Sequence, residues 1–220
     1  MPRGSEHAVR PIAVGDDSIA RVAGIVLAAG ASRRMGASTN KLLLEIDGEP
    51  MVRRVVRRAI EAGLEPVVVV LGYEPHRIRA TLGGLECAFV ENPDFTGPTS
   101  GSLHTGLRAL DASVPAAVVM LGDMVHVTTA MVRALRNGPG DTGARLAVSR
   151  YGTERVLAPP LHFRRELWPE LFAWTGEGCG KAVVMAHLGE AVMLDWPADA
   201  LRDVDTPADL DQLTGSKSSE

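Results

Sequence analysis

Continuously apolar runs that alternate with helical patterns constrain this fold more than any other feature of the sequence. The apolar runs lie at Val22–Ala28, 66–71, 87–90 and Ala116–Leu121. The helical patterns lie at 52–61, 75–82, 102–110 and 128–136. Strands that are apolar on both faces and separated by helices indicate a parallel sheet covered on both sides. The sequence therefore predicts an α/β, Rossmann-like three-layer fold with a mostly parallel central sheet, whose ligands bind beyond the carboxyl ends of the strands.

One domain is the expected organisation. The chain has 220 residues, of which 45% are hydrophobic, and it can bury one sizeable core. Residues 1–21 mix Pro, Gly and charge without periodicity and are predicted to be a flexible arm, and 214–220 a flexible tail. The single domain is predicted at 22–213. Beyond about residue 145 the pattern loosens, with weaker signals for strands at 145–149 and Val192–Trp196 and for short helices at 165–172 and 180–187.

Charge and cysteine content exclude several function classes. The formal net charge is -4, so no basic excess indicates nucleic-acid binding. The arginines of the helix at 52–61 are interpreted as its solvated face: Arg53, Arg54, Arg57 and Arg58. No apolar run is long enough to span a bilayer, and residues 1–21 lack the apolar segment of a signal peptide. Cys87 and Cys179 are far apart and lack CxxC spacing, which predicts a reduced, cytoplasmic protein.

A small-residue loop with much positive charge follows the first strand. It reads Ala29-Gly30-Ala31-Ser32-Arg33-Arg34-Met35-Gly36, with Lys41 shortly after. Small residues let successive backbone N–H groups surround an anion, and Arg and Lys add charge-assisted contacts that suit a triphosphate. The loop lacks both GxxxxGK[ST] and GxGxxG, so neither a Walker loop nor an oxidoreductase on a dinucleotide fold is favoured. The alternative is an ordinary turn that carries solvated arginines.

Two aspartates are candidates for binding a hard cation. Asp123 follows Gly122 at the carboxyl end of the predicted strand Ala116–Leu121. Mg²⁺ takes one or two carboxylates together with phosphate oxygens, although a turn or a helix cap is the alternative role for this residue. Asp205 precedes Thr206-Pro207-Ala208-Asp209, which also forms an N-cap, an N1 proline and a capping box. That segment is therefore also typical of a helix start that binds no metal.

The string L-A-A-G-x-S-x-R-M-G at 27–36, followed by Lys41, resembles the signature of the MobA-like NTP transferases. Its A-A-G form is most similar to the molybdopterin cytidylyltransferases, whereas guanylyl relatives typically read A-G-G. Further segments that resemble the family are K-L-L-L and G-E-P within 41–50, N-P-D-F at 92–95, S-L and G-L within 102–107, G-D-M at 122–124 and D-V-D-T-P at 203–207. Together the resemblance covers most of 22–213.

The resemblance implies a GT-A-like nucleotidyltransferase with an NTP-binding half at about 22–127 and an acceptor-binding half at about 128–213. It implies Mg²⁺-dependent transfer, with Mn²⁺ as the other metal, of CMP from CTP, or of a nucleotide from another NTP, to a small phosphorylated acceptor such as molybdopterin, with a client molybdoenzyme as a partner. Arg34, Lys41 and Asp123 are the expected catalytic residues. The expected metal ligands are Asp123 and Asp205, with Asp203 as the substitute for Asp205. The expected nucleotide-binding residues are Leu27, Ala28, Ala29, Gly30, Ser32, Arg33, Arg34, Lys41, Asn92, Ser102 and Asp123.

The acceptor half departs from the family pattern. Val125 stands where G-D-M-P has proline, Pro98 stands where the N-P segment has glycine, and G-E-G-C-G-K at 176–181 stands where the family has G-D-x-G-A-R. The acceptor-binding candidates are His126, Pro160, His162 and Lys181. Two alternatives stay open: a nucleotidyltransferase for a phosphosugar or phospho-alcohol, and a nucleotide-binding accessory or regulatory protein without catalysis.

Overall fold

Apolar strands form the centre of the molecule in the computed structural model, which describes residues 21–30, 40–140 and 142–202. Within these residues the strands are β1 Val22–Ala28, β2 Glu45–Ile46, β3 Glu49–Pro50, β4 Val67–Leu71, β5 Ala88–Glu91, β6 Ala116–Leu121, β7 Leu146–Tyr151, β8 Val156–Arg164 and β9 Val192–Trp196. The α-helices are α1 Met51–Glu61, α2 Pro75–Thr81, α3 Thr99–Arg108, α4 Thr129–Asn137, α5 Trp168–Ala173 and α6 Lys181–Ala186. The predicted tail, and the predicted arm up to residue 20, lie outside the described residues.

A seven-stranded sheet combines strands from both halves of the chain, in the order β5-β4-β1-β6-β8-β7-β9. Its neighbouring strands are parallel except at β8, which pairs antiparallel with β6 and β7. The strand β1 lies between β4 and β6, so that Val26 pairs in register with Val69 on one side and Met120 on the other. The predicted α/β fold with a mostly parallel sheet is confirmed.

Alternate residues of the strands point to opposite faces of the sheet and form two apolar cores, one on each face. One core contains Val26, Val69 and Val118 with Val55 of α1 and Leu135 of α4. The other contains Ile25, Val68 and Val119 with Leu103 of α3 and Leu171 of α5. Two helical layers thus sandwich the sheet, as the sequence predicts. None of the helices in the described ranges combines the length and apolar character needed to cross a membrane.

The antiparallel strand β8 is not predicted by the sequence, because Pro159 and Pro160 interrupt its pattern. Val148 pairs with Leu161 and Ser149 with Ala158, so the two prolines form a bulge between them. Proline has no N–H to donate to a ladder and is tolerated at such a bulge. The free carbonyls accept from side chains instead: Pro159 O from the Tyr151 hydroxyl at 2.7 Å and Pro160 O from Ser149 Oγ at 2.8 Å.

The boundaries of the other predicted elements agree with the structure to different degrees. The strand β9 has the predicted bounds, and β5 begins and ends one residue later than predicted. Helix α3 begins at Thr99 instead of residue 102, because Pro98 can occupy the position before a helix while lacking a hydrogen-bonding N–H. The helix predicted at 165–172 is divided into a 3-10 turn, Arg165–Leu167, followed by α5.

The interpretation of the α1 arginines as a solvated face is wrong. Arg53 Nη1 donates to two carbonyls at the end of α2, and Arg58 Nη1 donates to two carbonyls in the segment after β6. Arg57 forms a two-point ion pair with Glu49 of β3 at 2.8 and 2.9 Å. Arg54 Nη2 donates to the carbonyl of Ile46 in β2. The arginines on the outer face of α1 therefore bind neighbouring segments of the chain and are not simply solvated.

Candidate active site

Four loops meet where β1, β4, β5 and β6 end, at the carboxyl edge of the sheet. Backbone hydrogen bonds join them: Tyr73 N donates to Ala29 O at 3.1 Å, and Gly122 N donates to Leu27 O at 2.9 Å. Asn92 N extends the row by donating to the carbonyl at the end of β4 at 2.8 Å. The predicted nucleotide-binding residues Leu27, Ala28, Ala29, Gly30, Asn92 and Asp123 lie along this edge.

Gly72 allows two of these loops to approach each other. A Cβ at this position would lie 2.4 Å from Phe95 Cβ and 2.6 Å from Ala29 O, closer than carbon atoms pack. It would also lie 2.8 Å from the Ala29 methyl group, so that methyl fills the space between the ends of β1 and β4. Any larger residue at position 72 would force the start of the predicted anion-binding loop away from β4.

Lys41 and Asp123 form an ion pair at this edge, with Lys41 Nζ 3.0 Å from Asp123 Oδ2. The Lys41 side chain is 8% exposed, and the Asp123 side chain is 28% exposed. A buried ammonium group requires an ionic or hydrogen-bonding partner, and the Asp123 carboxylate supplies it. Lys41 is oriented by a 3-10 turn, Lys41–Leu43, whose N-cap Asn40 accepts a hydrogen bond from Leu42 N. A cation suited to phosphate and an anion suited to a metal are therefore adjacent.

The segment after Asp123 is a series of tight turns. Val125 N donates to Asp123 O at 2.8 Å, and Val127 N donates to Met124 O at 3.2 Å. Val125 is buried with Ile46 in a small apolar cluster. Thr128 then caps α4 by accepting from the backbone N–H of its third helical residue. These contacts fix the backbone on which the Asp123 side chain is mounted.

Asn92 and Ser102, both predicted nucleotide-binding residues, are hydrogen-bonded to each other and buried. Asn92 Nδ2 lies 3.0 Å from Ser102 Oγ, and Asn92 Oδ1 accepts from Asp94 N at 3.1 Å. Because α3 begins at Thr99, Ser102 stands within the helix rather than capping it. The structure thus joins the first residue of the Asn-Pro segment to the helix that follows that segment.

A glycine-rich loop of the predicted acceptor half, residues 174–180, is hydrogen-bonded to the start of α3. Ser100 N donates to Gly176 O at 3.0 Å, and Gly176 N donates to Ser100 Oγ at 3.1 Å. The Glu177 carboxylate accepts from the backbone N–H of Thr99 at 3.3 Å and from its hydroxyl. A carboxylate is favourable at a helix N-terminus because the first N–H groups are otherwise unpaired.

The same loop lies within the electrostatic range of Asp123. Burial, followed by the negative charges of Asp123 and Glu177, raises the pKa of the Cys179 thiol to about 12. The thiol is therefore protonated at neutral pH, and Cys179 is a packing residue rather than a nucleophile. Lys181 is exposed at the start of α6, directly after this loop.

His126 lies on the turn that follows Asp123. Its Nε2 is buried without a hydrogen-bond partner in the part of the chain that the structure describes. Burial, and then nearby positive charges, lower the pKa of His126, so the ring is neutral near pH 7; the charges are those of Arg202, Arg58 and Arg54. Pro160 is buried at the β8 bulge, just beyond the last paired residue of β8 along β6, Leu161. The acceptor-binding roles of His126 and Pro160 stay predictions.

The position of His162 corrects the corresponding expectation, because its ring is a core group. It is 3% exposed, pairs in register with Val118, and bonds through Nδ1 to Leu135 O at 3.0 Å. Burial lowers the pKa of His162 to about 4. We therefore exclude His162 from the acceptor site.

Asp123 suits a hard divalent cation, since a partly exposed carboxylate at this edge can share the ion with phosphate oxygens. Across residues 21–30, 40–140 and 142–202, no group of three His, Cys, Asp or Glu side chains forms a cage for a metal. Several predicted site residues lie outside the described residues: Ser32, Arg33, Arg34, Asp203 and Asp205.

Two residues that support this site, Glu177 and Arg58, could not be identified from the sequence. Glu177 stands within a segment that differs from the family pattern, but its contact with α3 joins distant parts of the chain. Arg58 reads as one of several helix-surface arginines, and its carbonyl partners are likewise remote in sequence. A groove of about 480 Å³ at the opposite, amino edge of the sheet is lined by none of the predicted site residues.

The chain is similar in sequence to known proteins and similar in fold to solved structures. The bifunctional protein GlmU of Geobacter metallireducens is 31% identical over 128 residues, which is 58% of this chain and 27% of GlmU. The chain thus spans about a quarter of the length of that relative. The crystal structure of Rv0371c from Mycobacterium tuberculosis H37Rv is similar with a TM-score of 0.76 and 26% identity, covering 90% of this chain and 100% of that chain. The same protein in complex with manganese has a TM-score of 0.67 and 26% identity, over 89% of this chain and 99% of that one.

Residues 24–192 match the family described as the MobA-like NTP transferase domain. This range spans β1 to the start of β9 and contains both Lys41 and Asp123. The match covers well over half of the chain and confirms the resemblance stated from the sequence. The chain therefore belongs to the MobA-like NTP transferase family.

Proposed function

We propose that this protein transfers CMP from CTP to the phosphate of a small phosphorylated acceptor, with Mg²⁺ as the metal and pyrophosphate as the second product. The ion pair between Lys41 and Asp123 carries the proposal, because it sets a buried ammonium group beside a partly exposed carboxylate at the carboxyl edge. Nucleotide ligands of such sheets bind at that edge. A protein that only bound a nucleotide would have less need for a carboxylate beside its phosphate-binding lysine.

In the proposed reaction an acceptor phosphate oxygen attacks the α-phosphorus of CTP in line. A new phosphorus–oxygen bond forms, and the bond to the β-phosphate oxygen breaks as pyrophosphate leaves. No protein nucleophile is required, since a phosphate monoester is already anionic near pH 7, and rate acceleration comes from positioning and charge neutralisation. Lys41 donates to the phosphate oxygens, as does the predicted Arg34.

The metal would be held by Asp123 and, in the proposal, by Asp205, with Asp203 as the substitute. Magnesium, when bound, supplies positive charge that neutralises the phosphates and lowers the barrier to attack. The manganese complex of Rv0371c supports a divalent cation in this family, and Mn²⁺ is the natural replacement to test.

Selection of cytidine is supported by two features of the site. Ala29 stands where guanylyl relatives have glycine in the A-G-G form, and its methyl group packs at the carboxyl edge against Gly72. In the proposal, the base binds beside this position and the extra methyl group leaves less room for a purine. The buried pair Asn92–Ser102 offers a hydroxyl for a base edge. A site built to satisfy such a hydrogen bond discriminates against a base that leaves it unpaired.

Molybdopterin is the first acceptor to test, and a client molybdoenzyme would then receive the product. A phosphosugar or phospho-alcohol is the second candidate, because the acceptor loop departs from the family pattern and Glu177 holds it against α3. Lys181, His126 and Pro160 are the proposed acceptor-side residues.

The test is a pyrophosphate-release screen of the four NTPs with Mg²⁺ or Mn²⁺ against molybdopterin, hexose phosphates and phosphorylated alcohols. Turnover with CTP and one acceptor, absent in Asp123→Asn, is the expected result. A preference for GTP would reject cytidylyl transfer and keep nucleotidyl transfer. Tight CTP binding without turnover on any acceptor would instead identify an accessory or regulatory protein.

A further inference from the structure

Arg58 reaches from α1 to the turn that carries Asp123. Its Nη1 donates to Val125 O at 2.6 Å and to Val127 O at 2.9 Å. The guanidinium group is half-buried, and within the described ranges no carboxylate lies at ion-pair distance from it. Its charge is therefore compensated by backbone carbonyls, an arrangement in which each hydrogen bond is charge-assisted.

These carbonyls belong to buried backbone and cannot form hydrogen bonds with water instead. Val125 and Val127 are 2% and 1% exposed, and a buried carbonyl without a donor is unfavourable. Loss of both donated bonds would therefore move the carbonyls toward other partners. The Asp123 carbonyl, bonded to Val125 N at 2.8 Å, would follow that movement.

We infer that Arg58 is a positioning residue that sets the Asp123 carboxylate for metal binding through the carbonyls of Val125 and Val127. This inference rests on the proposed function, in which Asp123 holds the metal. Arg58 itself does not touch substrate, so its removal acts on how well Asp123 is placed. A displacement of about 1 Å at a catalytic group lowers the rate by roughly a hundredfold.

Arg53 provides a matched control on the same helix. Its Nη1 also donates to two carbonyls, Thr81 O at 2.8 Å and Gly83 O at 3.0 Å. Those carbonyls lie at the end of α2 and make none of the contacts that join the loops of the site. Arg53→Met and Arg58→Met thus remove the same group and the same kind of contact from one helix, and only Arg58→Met releases the Asp123 turn.

The experiment compares wild type, Arg58→Met, Arg58→Lys and Arg53→Met in full-length protein. We expect Arg58→Met to lower kcat roughly ten- to a hundredfold, with a small change in KM for CTP. The Mg²⁺ concentration at half-maximal activation should rise severalfold. Mn²⁺ binding to the protein–CTP complex, followed by electron paramagnetic resonance, should weaken by a similar factor. Arg58→Lys should recover part of both effects, and Arg53→Met should remain within about twofold of wild type, because its guanidinium group does not hold the Asp123 turn.

Equal behaviour of Arg58→Met and Arg53→Met in kcat and Mn²⁺ binding would overturn the inference and leave Arg58 a purely structural residue. If Arg58→Met does not fold, Arg58→Lys decides the question: its ammonium group is a compact donor that cannot take the place of the planar guanidinium between both carbonyls, so a Mn²⁺ affinity and a kcat that both equal those of wild type would reject the inference. Failure of the proposed function is separately visible as a wild type that turns over no NTP. The Mn²⁺ titration still compares the variants in that case.

Discussion

Asn92 donates an amide N–H to Ser102 Oγ over 3.0 Å, while its carbonyl oxygen accepts from Asp94 N at 3.1 Å. The second contact fixes the amide orientation, because Asp94 N can only donate. Ser102 Oγ therefore accepts from Asn92, and the hydroxyl proton is available to another acceptor. In the proposed site, Ser102 acts as a donor toward the O2 or N3 acceptors of cytosine.

Ser102→Ala should lower kcat/KM for CTP by about tenfold, the usual effect of losing one hydrogen bond of about 1.4 kcal/mol. Asn92→Asp should have at least the same effect with Ser102 still present, since a carboxylate oxygen would take the hydroxyl proton and leave the base without a donor. Steady-state kinetics with CTP and UTP measures both. Ser113→Ala is the control, because Ser113 is exposed and bonds only locally to Asp111. Normal CTP selectivity in both test variants would remove Ser102 from base recognition.

Asp123→Asn should reduce the transfer rate to less than about a tenth, given that charge neutralisation by a metal is worth several kcal/mol. It should also lower the thermal stability, because the buried Lys41 ammonium loses its ion pair with Asp123. The double variant Lys41→Met, Asp123→Asn removes both charges and should regain stability but not activity. Activity above a tenth of wild type in Asp123→Asn would refute the metal role, whatever the melting temperature.

Glu177→Ala should raise KM for the acceptor severalfold and leave KM for CTP nearly unchanged. The reason is that Glu177 fastens the acceptor-side loop to α3 and does not contact the Asn92–Ser102 pair. Glu177→Gln should raise the KM for the acceptor less than Glu177→Ala does, because the side-chain oxygen of glutamine can still accept from Thr99. Glu65→Ala serves as the control, because Glu65 is exposed at the amino edge beside Arg21. Equal changes in both KM values would indicate general loosening of the fold rather than a role on the acceptor side.

His162 should make the protein less stable as the pH falls. Its folded-state pKa is about 4, whereas that of an unfolded histidine is about 6.5. Between these values the unfolded chain binds more protons, so this contribution is complete above about pH 6.5 and is lost as the pH falls toward 4, by about 3 kcal/mol at most. Urea unfolding at several pH values should show a smaller loss on acidification in His162→Gln than in wild type.

His187 supplies a control of opposite sign for that experiment. Hydrogen bonds to Glu170, first, and to Glu190 raise the pKa of His187. The folded state then holds the proton more tightly than the unfolded state, so this contribution is complete below about pH 6.5 and is lost as the pH rises through the folded pKa. His187→Gln should therefore lose more stability at pH 6 than at pH 8. The same pH response in both variants would contradict the assignment of one buried and one ion-paired histidine.

The sheet and its carboxyl edge could be predicted from local sequence, since β1 and β6 are continuous apolar runs that are followed closely by predicted site residues. Leu27 and Asp123 lie near one another because parallel strands present their carboxyl ends at one edge. Lys41 reaches the same edge from the 3-10 turn Lys41–Leu43, which the strand pattern does not predict. The strand β9 was predictable from a weaker signal, the short and largely apolar segment Val192–Trp196, whose bounds the structure confirms.

The predicted acceptor half and the contacts that support the candidate site depend on partners that are distant in sequence. Pro159 and Pro160 make β8 unrecognisable from the sequence, because prolines usually interrupt a strand. Here their carbonyls accept hydrogen bonds from the hydroxyls of Tyr151 and Ser149, which the local sequence does not reveal. His162 looks like a ligand in a sequence and is a core residue because α4 supplies a carbonyl to it. The arginines of α1 share one helical face in the sequence, but which carbonyls they bind is decided by how α1 packs.

The reversed direction of β8 has a consequence for how the edge of the sheet that carries Asp123 could vary in length. The hairpin between β7 and β8 turns at residues 152–155, on the same edge where β6 delivers Asp123. A hairpin can lengthen at its tip without shifting the pairing of either strand, and each doubling of a loop adds only about 0.6 kcal/mol of closure entropy. The connections after β4 and β6 instead lead into α2 and α4, which pack against the sheet. A longer β7–β8 hairpin would therefore extend the wall of the candidate site without moving the strands that carry it.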